Sequence, residues 1–169
     1  MSHGLIVLPD DTAQPVVDAI DGAKQSLRVK MFLFSDPTIQ DALAKAGRRG
    51  VKERGVKIHV LAKPVHTLKA GKLMEEVGGL RTMHNVGIKV HKLKHLKLDG
   101  KMLLADDSRA IVGSINLTPG SFDSRRELAI EVHDADVVER LSKIVTTGSI
   151  RIRWICPIRP ARRSRKTRD

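Results

Sequence analysis

The chain has almost no aromatic side chains: tyrosine is absent, and there are only one tryptophan and three phenylalanines. Stacking platforms for unpaired bases are therefore not expected. The single cysteine, Cys156, cannot form an internal disulfide and fits a reducing compartment. No apolar run is long enough to span a membrane, and the start, MSHGLIVLPDD, has no basic leader. We expect a cytoplasmic protein without a transmembrane segment.

Acidic residues are too few to balance the basic ones. The 31 lysines and arginines exceed the 19 acidic residues, which gives a net charge of +12. Residues 151–169 hold eight Lys or Arg and one Asp, so the C-terminal end carries much of this charge. Residues 84–101 form a second basic run, with five lysines and three histidines. This distribution predicts attraction to a polyanion.

Short apolar or alternating runs are separated by segments with helical periodicity. The runs predict strands at 4–8, 26–34, 56–61, 86–90, 98–105, 110–114 and 127–132. The intervening segments predict helices that follow Asp10 or Asp11 as a cap, begin at Asp36-Pro37 and end at Gly50, and span 68–77 and 135–145. Residues 117–120 are predicted to form a loop. The alternation predicts an α/β fold with a mixed β-sheet flanked by helices on both faces.

The chain length of 169 residues favours one domain. We place this domain at residues 1–147. Residues 148–169 lose periodicity and are basic and punctuated by proline, which predicts a disordered tail that binds nucleic acid or an anionic surface. An alternative is that this tail is the product of a shifted reading frame.

One stretch holds a lysine, a carboxylate and a Gly-Ser-x-Asn turn at regular spacing. Lys101 is followed after four residues by Asp106, and after six more by Gly113-Ser114-Ile115-Asn116. This spacing resembles the signature of the phospholipase D superfamily, which is His-x-Lys, four residues, Asp, six residues and Gly-Ser-x-Asn. The one departure is Asp99, which occupies the position of the family's histidine.

The resemblance covers roughly residues 5–145 and implies the phospholipase D fold. It also implies hydrolysis of a phosphodiester at a site where two motif copies meet. One histidine attacks phosphorus while the other protonates the leaving oxygen, and no metal or other cofactor is needed. This chain has one motif copy, so the resemblance implies a homodimer with the motif at a two-fold axis.

The resemblance assigns roles to individual residues. It implies that Lys101 and Asn116 hold phosphate oxygens and that the Ser114 hydroxyl lies nearby. Asp106 and Gly113 are expected to frame the motif, with Asp106 capping the turn. Glu127 has two interpretations: the carboxylate that orients the nucleophilic histidine in related dimeric nucleases, or a surface charge at a strand edge.

Asp99 decides the expected activity. A carboxylate anion repels a phosphodiester and does not donate a proton at neutral pH unless its pKa is strongly raised. We therefore expect a phosphodiesterase scaffold that is inactive or impaired as written. A nucleic acid is favoured as its ligand, because the chain is basic and lacks a membrane anchor. The alternatives are a hydrolase of phospholipid headgroups and a non-catalytic dimer that binds nucleic acid or phosphate.

Overall fold

The computed structural model describes residues 3–31, 35–53, 57–61, 89–93, 100–146 and 149–151. These residues form eight strands and four helices. The strands are β1 (Gly4–Leu8), β2 (Ser26–Lys30), β3 (Lys57–Leu61), β4 (Lys89–Leu93), β5 (Lys101–Ala105), β6 (Arg109–Gly113), β7 (Glu127–Val132) and β8 (Ser149–Arg151). The helices are α1 (Gln14–Gly22), α2 (Pro37–Glu53), α3 (Pro119–Asp123) and α4 (Ala135–Thr146). None of the described helices is long and apolar enough to cross a membrane.

The strands form one mixed sheet, as predicted, in the order β1-β7-β6-β5-β2-β3-β4-β8. Strands β2, β3 and β4 are neighbours in the sheet and run parallel. Parallel neighbours require a crossover connection, which α2 provides between β2 and β3. The remaining pairs are antiparallel. The two halves of the sheet therefore meet where β5 pairs with β2.

Strand β5 is buried on both faces, which follows from its uninterrupted apolar sequence. Leu103 and Ala105 belong to the main core with apolar residues of α1 and α2, whereas Leu104 packs in a second cluster with Val138 of α4. Successive side chains of a strand point to opposite faces. The predicted arrangement of helices on both faces is thus confirmed.

The starts of the first two helices differ in their capping. Asp36 Oδ1 accepts the Ile39 N–H at 3.0 Å, which confirms the predicted cap of α2. The predicted cap of α1 by Asp10 or Asp11 is wrong, because the N-cap residue is Ala13 and the Gln14 N–H donates to Thr12 Oγ1 at 3.3 Å. Asp11 instead accepts the Val7 N–H at 2.7 Å, and Asp10 forms an ion pair with Arg126.

Several predicted boundaries move. Helix α2 continues through Gly50 to Glu53, since one glycine costs a helix only about 1 kcal/mol. Strand β4 lies three residues later than predicted, and α3 replaces part of the predicted 117–120 loop because Pro119 suits a first helical turn. Strand β8 pairs with β4 beyond the predicted domain boundary at 147. The predicted helix at 68–77 and residues 152–169 lie outside the described residues.

Lys101 and Gly113 of the motif lie at the same end of the β5–β6 hairpin. The register pairs Lys101 of β5 with Gly113 of β6, and Gly113 with Ala129 of β7. The connection from β2 to α2 is fastened to the same end, because the backbone N–H groups of Ser35 and Asp36 donate to the Leu117 carbonyl at 2.8 and 2.9 Å. The chain after β2 and the chain after β6 are therefore held together.

Gly113 permits an unusually close approach of β6 and β7. A Cβ atom at this position would lie 2.2 Å from the Leu128 carbonyl oxygen and 2.5 Å from the Ala129 Cα atom. Both are backbone atoms, so no flexible side chain can move aside. The motif requires glycine here because any side chain would separate the two strands.

We predict that Gly113→Ala destabilises the fold by about 3 kcal/mol or more, because overpacking against fixed backbone is costly. Urea unfolding measures the change. Gly22→Ala is the control, since a Cβ added there meets no atom within 4 Å. That variant should be as stable as the parent or more stable by about 0.5 kcal/mol. Equal stability of the two variants would contradict the predicted clash.

Candidate active site

Lys101 is the first residue of β5 and pairs with Gly113. Its side chain is half-buried. Among the described residues its ammonium has no hydrogen-bond or ion-pair partner. Lys101 and Gly113 border a small cavity of about 20 Å³, which holds about one water molecule. The cavity is otherwise lined by apolar side chains, including those of Val16, Met31, Leu103, Ile115 and Leu117. Lys101 is thus the charged residue among those that line this cavity, and the other lining residues are apolar.

Glu127 is only 8% exposed, which excludes its interpretation as a surface charge. Its carboxylate accepts two side-chain hydroxyl groups. Ser121 Oγ donates to Oε1 at 2.8 Å, and Ser114 Oγ donates to Oε2 at 3.2 Å. The carboxylate therefore joins the motif turn to α3.

The Ser114 hydroxyl is also part of the sheet. Its oxygen accepts the Leu128 N–H at 3.2 Å, while the Ser114 N–H donates to the Leu128 carbonyl at 2.9 Å. A serine hydroxyl has one proton to donate, and two acceptors lie within reach of this one, Glu127 Oε2 at 3.2 Å and the Leu128 carbonyl at 3.4 Å. Ser114 can donate to a phosphate only by giving up both of these acceptors.

Asn116 lies between two buried side chains, Ile115 and Leu117, which fix the turn that carries it. Its Oδ1 atom is buried and has no hydrogen-bond partner among the described residues. A buried carbonyl oxygen without a donor costs about 1–3 kcal/mol. This oxygen can only accept a hydrogen bond, so the Nδ2 group is the part of the amide that can donate to an anionic ligand.

Asp106 follows the last residue of β5, at the opposite end of the strand from Lys101 and about 16 Å away at the rise of a strand. Its carboxylate accepts the backbone N–H groups of Lys24, Gln25 and Ser26 at 2.7–2.8 Å. Asp106 therefore fastens the start of β2 to the turn between β5 and β6, at a distance from the other motif residues.

Burial by itself would raise the pKa of Asp106. The N–H groups of Lys24, Ser26 and Gln25, together with the charge of Lys24, outweigh this effect and hold the pKa below its ordinary value. The folded protein consequently favours the ionised form of this carboxyl group.

The structure thus joins Ser114 to Glu127 by a hydrogen bond and pairs Lys101 with Gly113, the residue before Ser114. Asn116 follows two residues after Ser114, and Asp106 lies at the other end of the hairpin. Asp99 lies outside the described residues. Sequence analysis missed Ser121 and Thr118, whose oxygens lie 3.1 Å apart beside Glu127. The only signal for them was Pro119, which could have indicated a helical turn that points Ser121 inward. No group of three or more described His, Cys, Asp or Glu residues is arranged to hold a metal ion.

Comparison with known proteins decides the family. Residues 16–147 match the family model described as the phospholipase D-like domain of cardiolipin synthase. This chain belongs to the phospholipase D superfamily. Cardiolipin synthase B of Salmonella typhi is 30% identical over 131 residues, which are 74% of this chain and 29% of that protein. The chain thus spans less than a third of the curated superfamily relative.

Two solved structures share the superfamily fold. Nuc of Salmonella typhimurium, a phospholipase D family member, superposes with a TM-score of 0.75 at 21% identity, over 90% of this chain and 99% of Nuc. NucT of Helicobacter pylori gives a TM-score of 0.74 at 18% identity, over 89% of this chain and 99% of NucT. The predicted phospholipase D-like α/β fold is therefore confirmed.

We predict that Asp106→Asn lowers stability at pH 7 by about 1–3 kcal/mol, because it replaces a charged acceptor of three N–H bonds. Asparagine tolerates the left-handed backbone at this position, where φ is 52°, so the loss reports the carboxylate. The exposed Asp123 provides the control variant, Asp123→Asn, which should change stability little.

The pH dependence of this difference has a definite sign. A carboxyl group with a lowered pKa in the folded protein contributes stability above its ordinary pKa of 3.8. That contribution disappears as the pH falls through the lower pKa of the folded state. Urea unfolding between pH 7 and pH 2 should therefore show the gap between parent and Asp106→Asn closing in acid. A constant gap would contradict the assignment.

Proposed function

We propose that this protein is a phospholipase D-like phosphodiesterase scaffold of the nuclease type, with its site shared between two copies of the chain. The observation that carries the proposal is the hydrogen bond between Ser114 and Glu127 at the end of the hairpin where Gly113 pairs with Lys101. As written, the protein is inactive or impaired, because Asp99 occupies the position of the nucleophilic histidine.

Lys101 and Asn116 bind the phosphate. The Lys101 ammonium neutralises charge that develops on the phosphoryl oxygens. The Asn116 amide adds a directed hydrogen bond. Ser114 contributes less than either, because its proton already has two acceptors within reach.

The missing step is nucleophilic attack. With histidine at position 99, one imidazole nitrogen bonds to phosphorus as the bond to the leaving oxygen breaks, and the second copy's imidazolium gives that oxygen a proton. Water then cleaves the phosphorus–nitrogen bond. Asp99 supplies neither a neutral nucleophile nor a proton at pH 7, so both halves of the reaction fail together.

The shared site follows from the number of motifs, since this sequence has one and the reaction needs two. Exposed apolar side chains on β1 and β7 offer contact area that a second copy can cover. Leu128 is 52% exposed, and the paired residues Leu5 and Ile130 are also exposed. Leu128 and Ile130 alternate with Glu127 and Ala129, so they lie on the opposite face of β7 from the Glu127 carboxylate and do not line the cleft itself.

A nucleic acid is the favoured substrate. The net charge of +12 attracts a polyanion, and the exposed Arg125 adds a cation close to α3. A second candidate is a phospholipid headgroup, which the similarity to cardiolipin synthase B favours. Both candidates present a phosphodiester to Lys101 and Asn116, so the same site serves either one.

We predict that Asp99→His creates or restores hydrolysis of bis(p-nitrophenyl) phosphate in the presence of EDTA, because the other motif residues are already in place. Single-stranded DNA and vesicles containing anionic phospholipid are assayed in parallel. Cleavage of DNA alone supports the nuclease assignment, and cleavage of lipid alone supports the second candidate.

The double variant Asp99→His with Lys101→Ala is the control, and it should lose the gained activity. A folded Asp99→His protein without activity toward any of the three substrates would contradict the proposed enzyme. Retained, salt-sensitive binding of DNA without turnover would then indicate a non-catalytic binding protein.

We predict that the protein sediments as a dimer and binds one phosphate analogue for every two chains. Sedimentation gives the mass, and calorimetric titration with orthovanadate gives the stoichiometry. Lys101→Ala should weaken vanadate binding about tenfold or more, because it removes a charged hydrogen bond, without changing the mass. A monomer, or one vanadate bound to each chain, would refute the shared site.

A further inference from the structure

We propose that Ser121 is a positioning residue of this site, with Thr118 behind it, and that it acts on Ser114 through the Glu127 carboxylate. The part of the inference that concerns catalysis rests on the proposed phosphodiesterase function. The motif spacing does not include either residue.

The contact that carries the inference is buried. Ser121 is 0% exposed, and its hydroxyl donates to Glu127 Oε1 at 2.8 Å. The other carboxylate oxygen accepts the Ser114 hydroxyl. Among the described residues, these two hydroxyl groups are the hydrogen-bond partners of the Glu127 side chain. Because a buried carboxylate without such bonds is costly, the two serines fix its orientation.

The Ser121 hydroxyl donates to a side chain rather than to a backbone carbonyl of its own helix. Serine in a helix commonly bonds back to a carbonyl of the preceding turn, as Ser124 does to the Gly120 carbonyl at 3.2 Å. Ser121 instead directs its proton across to Glu127, and its backbone N–H closes the turn with the Thr118 carbonyl. Its hydroxyl therefore serves the carboxylate rather than the helix.

Thr118 sets the direction of this chain of hydrogen bonds. Its oxygen lies 3.1 Å from Ser121 Oγ, and either hydroxyl could donate from the distance alone. Since the Ser121 proton is used on Glu127, Thr118 must be the donor. The protons run from Thr118 to Ser121 and from Ser121 to the carboxylate. Removing Ser121 breaks this order and frees Glu127 to rotate away from Ser114.

The first test uses the protein as it stands and needs no activity. The Leu128 N–H donates to Ser114 Oγ, so its hydrogen exchange reports whether that hydroxyl stays in place. We expect Ser121→Ala to speed exchange at Leu128 about fivefold or more, the loss of one hydrogen bond. Ser124→Ala, at the residue directly after the same helix, should leave exchange at Leu128 unchanged. Equal exchange in parent and Ser121→Ala overturns the inference.

The second test uses the Asp99→His background. Ser121→Ala should lower kcat about tenfold while the KM for bis(p-nitrophenyl) phosphate stays within about twofold, because positioning acts on the reacting state more than on binding. Thr118→Ser keeps the hydroxyl and should retain kcat, whereas the isosteric Thr118→Val should lower it. Ser124→Ala should have no effect.

The outcomes separate the inference from the proposed function. An active Asp99→His protein whose kcat is unchanged by Ser121→Ala overturns the positioning role. An inactive Asp99→His protein counts against the proposed function alone, and the Leu128 exchange then decides whether Ser121 controls Ser114. Loss of kcat in Thr118→Ser and Thr118→Val alike would overturn the role of the Thr118 hydroxyl.

Discussion

The close approach of β6 and β7 at Gly113 is the constraint on which the site depends. Only a residue without a side chain lets the Leu128 carbonyl and Ala129 come so near, and this contact aligns Ser114 with Leu128. Glu127, one residue earlier on β7, is then turned toward the Ser114 hydroxyl. The glycine of the motif therefore orients a carboxylate that lies 14 positions away in sequence.

The spacing of the motif corresponds to the dimensions of a β-hairpin. Lys101 and Asp106 bracket β5, and the six residues before Gly113 supply the rest of the turn and most of β6. Lys101 and Gly113 consequently face each other, whereas Asp106 lies at the far end. There its carboxylate holds three backbone N–H groups at the start of β2. Asp106 therefore holds the β5–β6 hairpin against β2, whereas Glu127 holds the hydroxyl groups of Ser114 and Ser121.

The sequence was most informative where local periodicity and burial agree. Short apolar or alternating runs correctly predicted β1 at 4–8 and β7 at 127–132, because each position was determined by its own local pattern. Local patterns failed where a distant partner decided the outcome: Asp11 bonds to β1 rather than capping α1. Ser121 escaped notice for the same reason, since nothing near it in sequence indicates that its hydroxyl meets Glu127.

The side chains that hold the site together differ from those that we propose to bind the phosphate and react with it. Gly113, Ser114, Ser121 and Glu127 hold one another through backbone and hydroxyl groups, and these bonds need no imidazole. Lys101 and Asn116, which we propose to hold the phosphate, are carried by the same hairpin and turn. Under that proposal a change at position 99 removes the nucleophile and the proton donor while these hydrogen bonds remain. Turnover is then expected to fall more than phosphate binding, because different side chains support each of them.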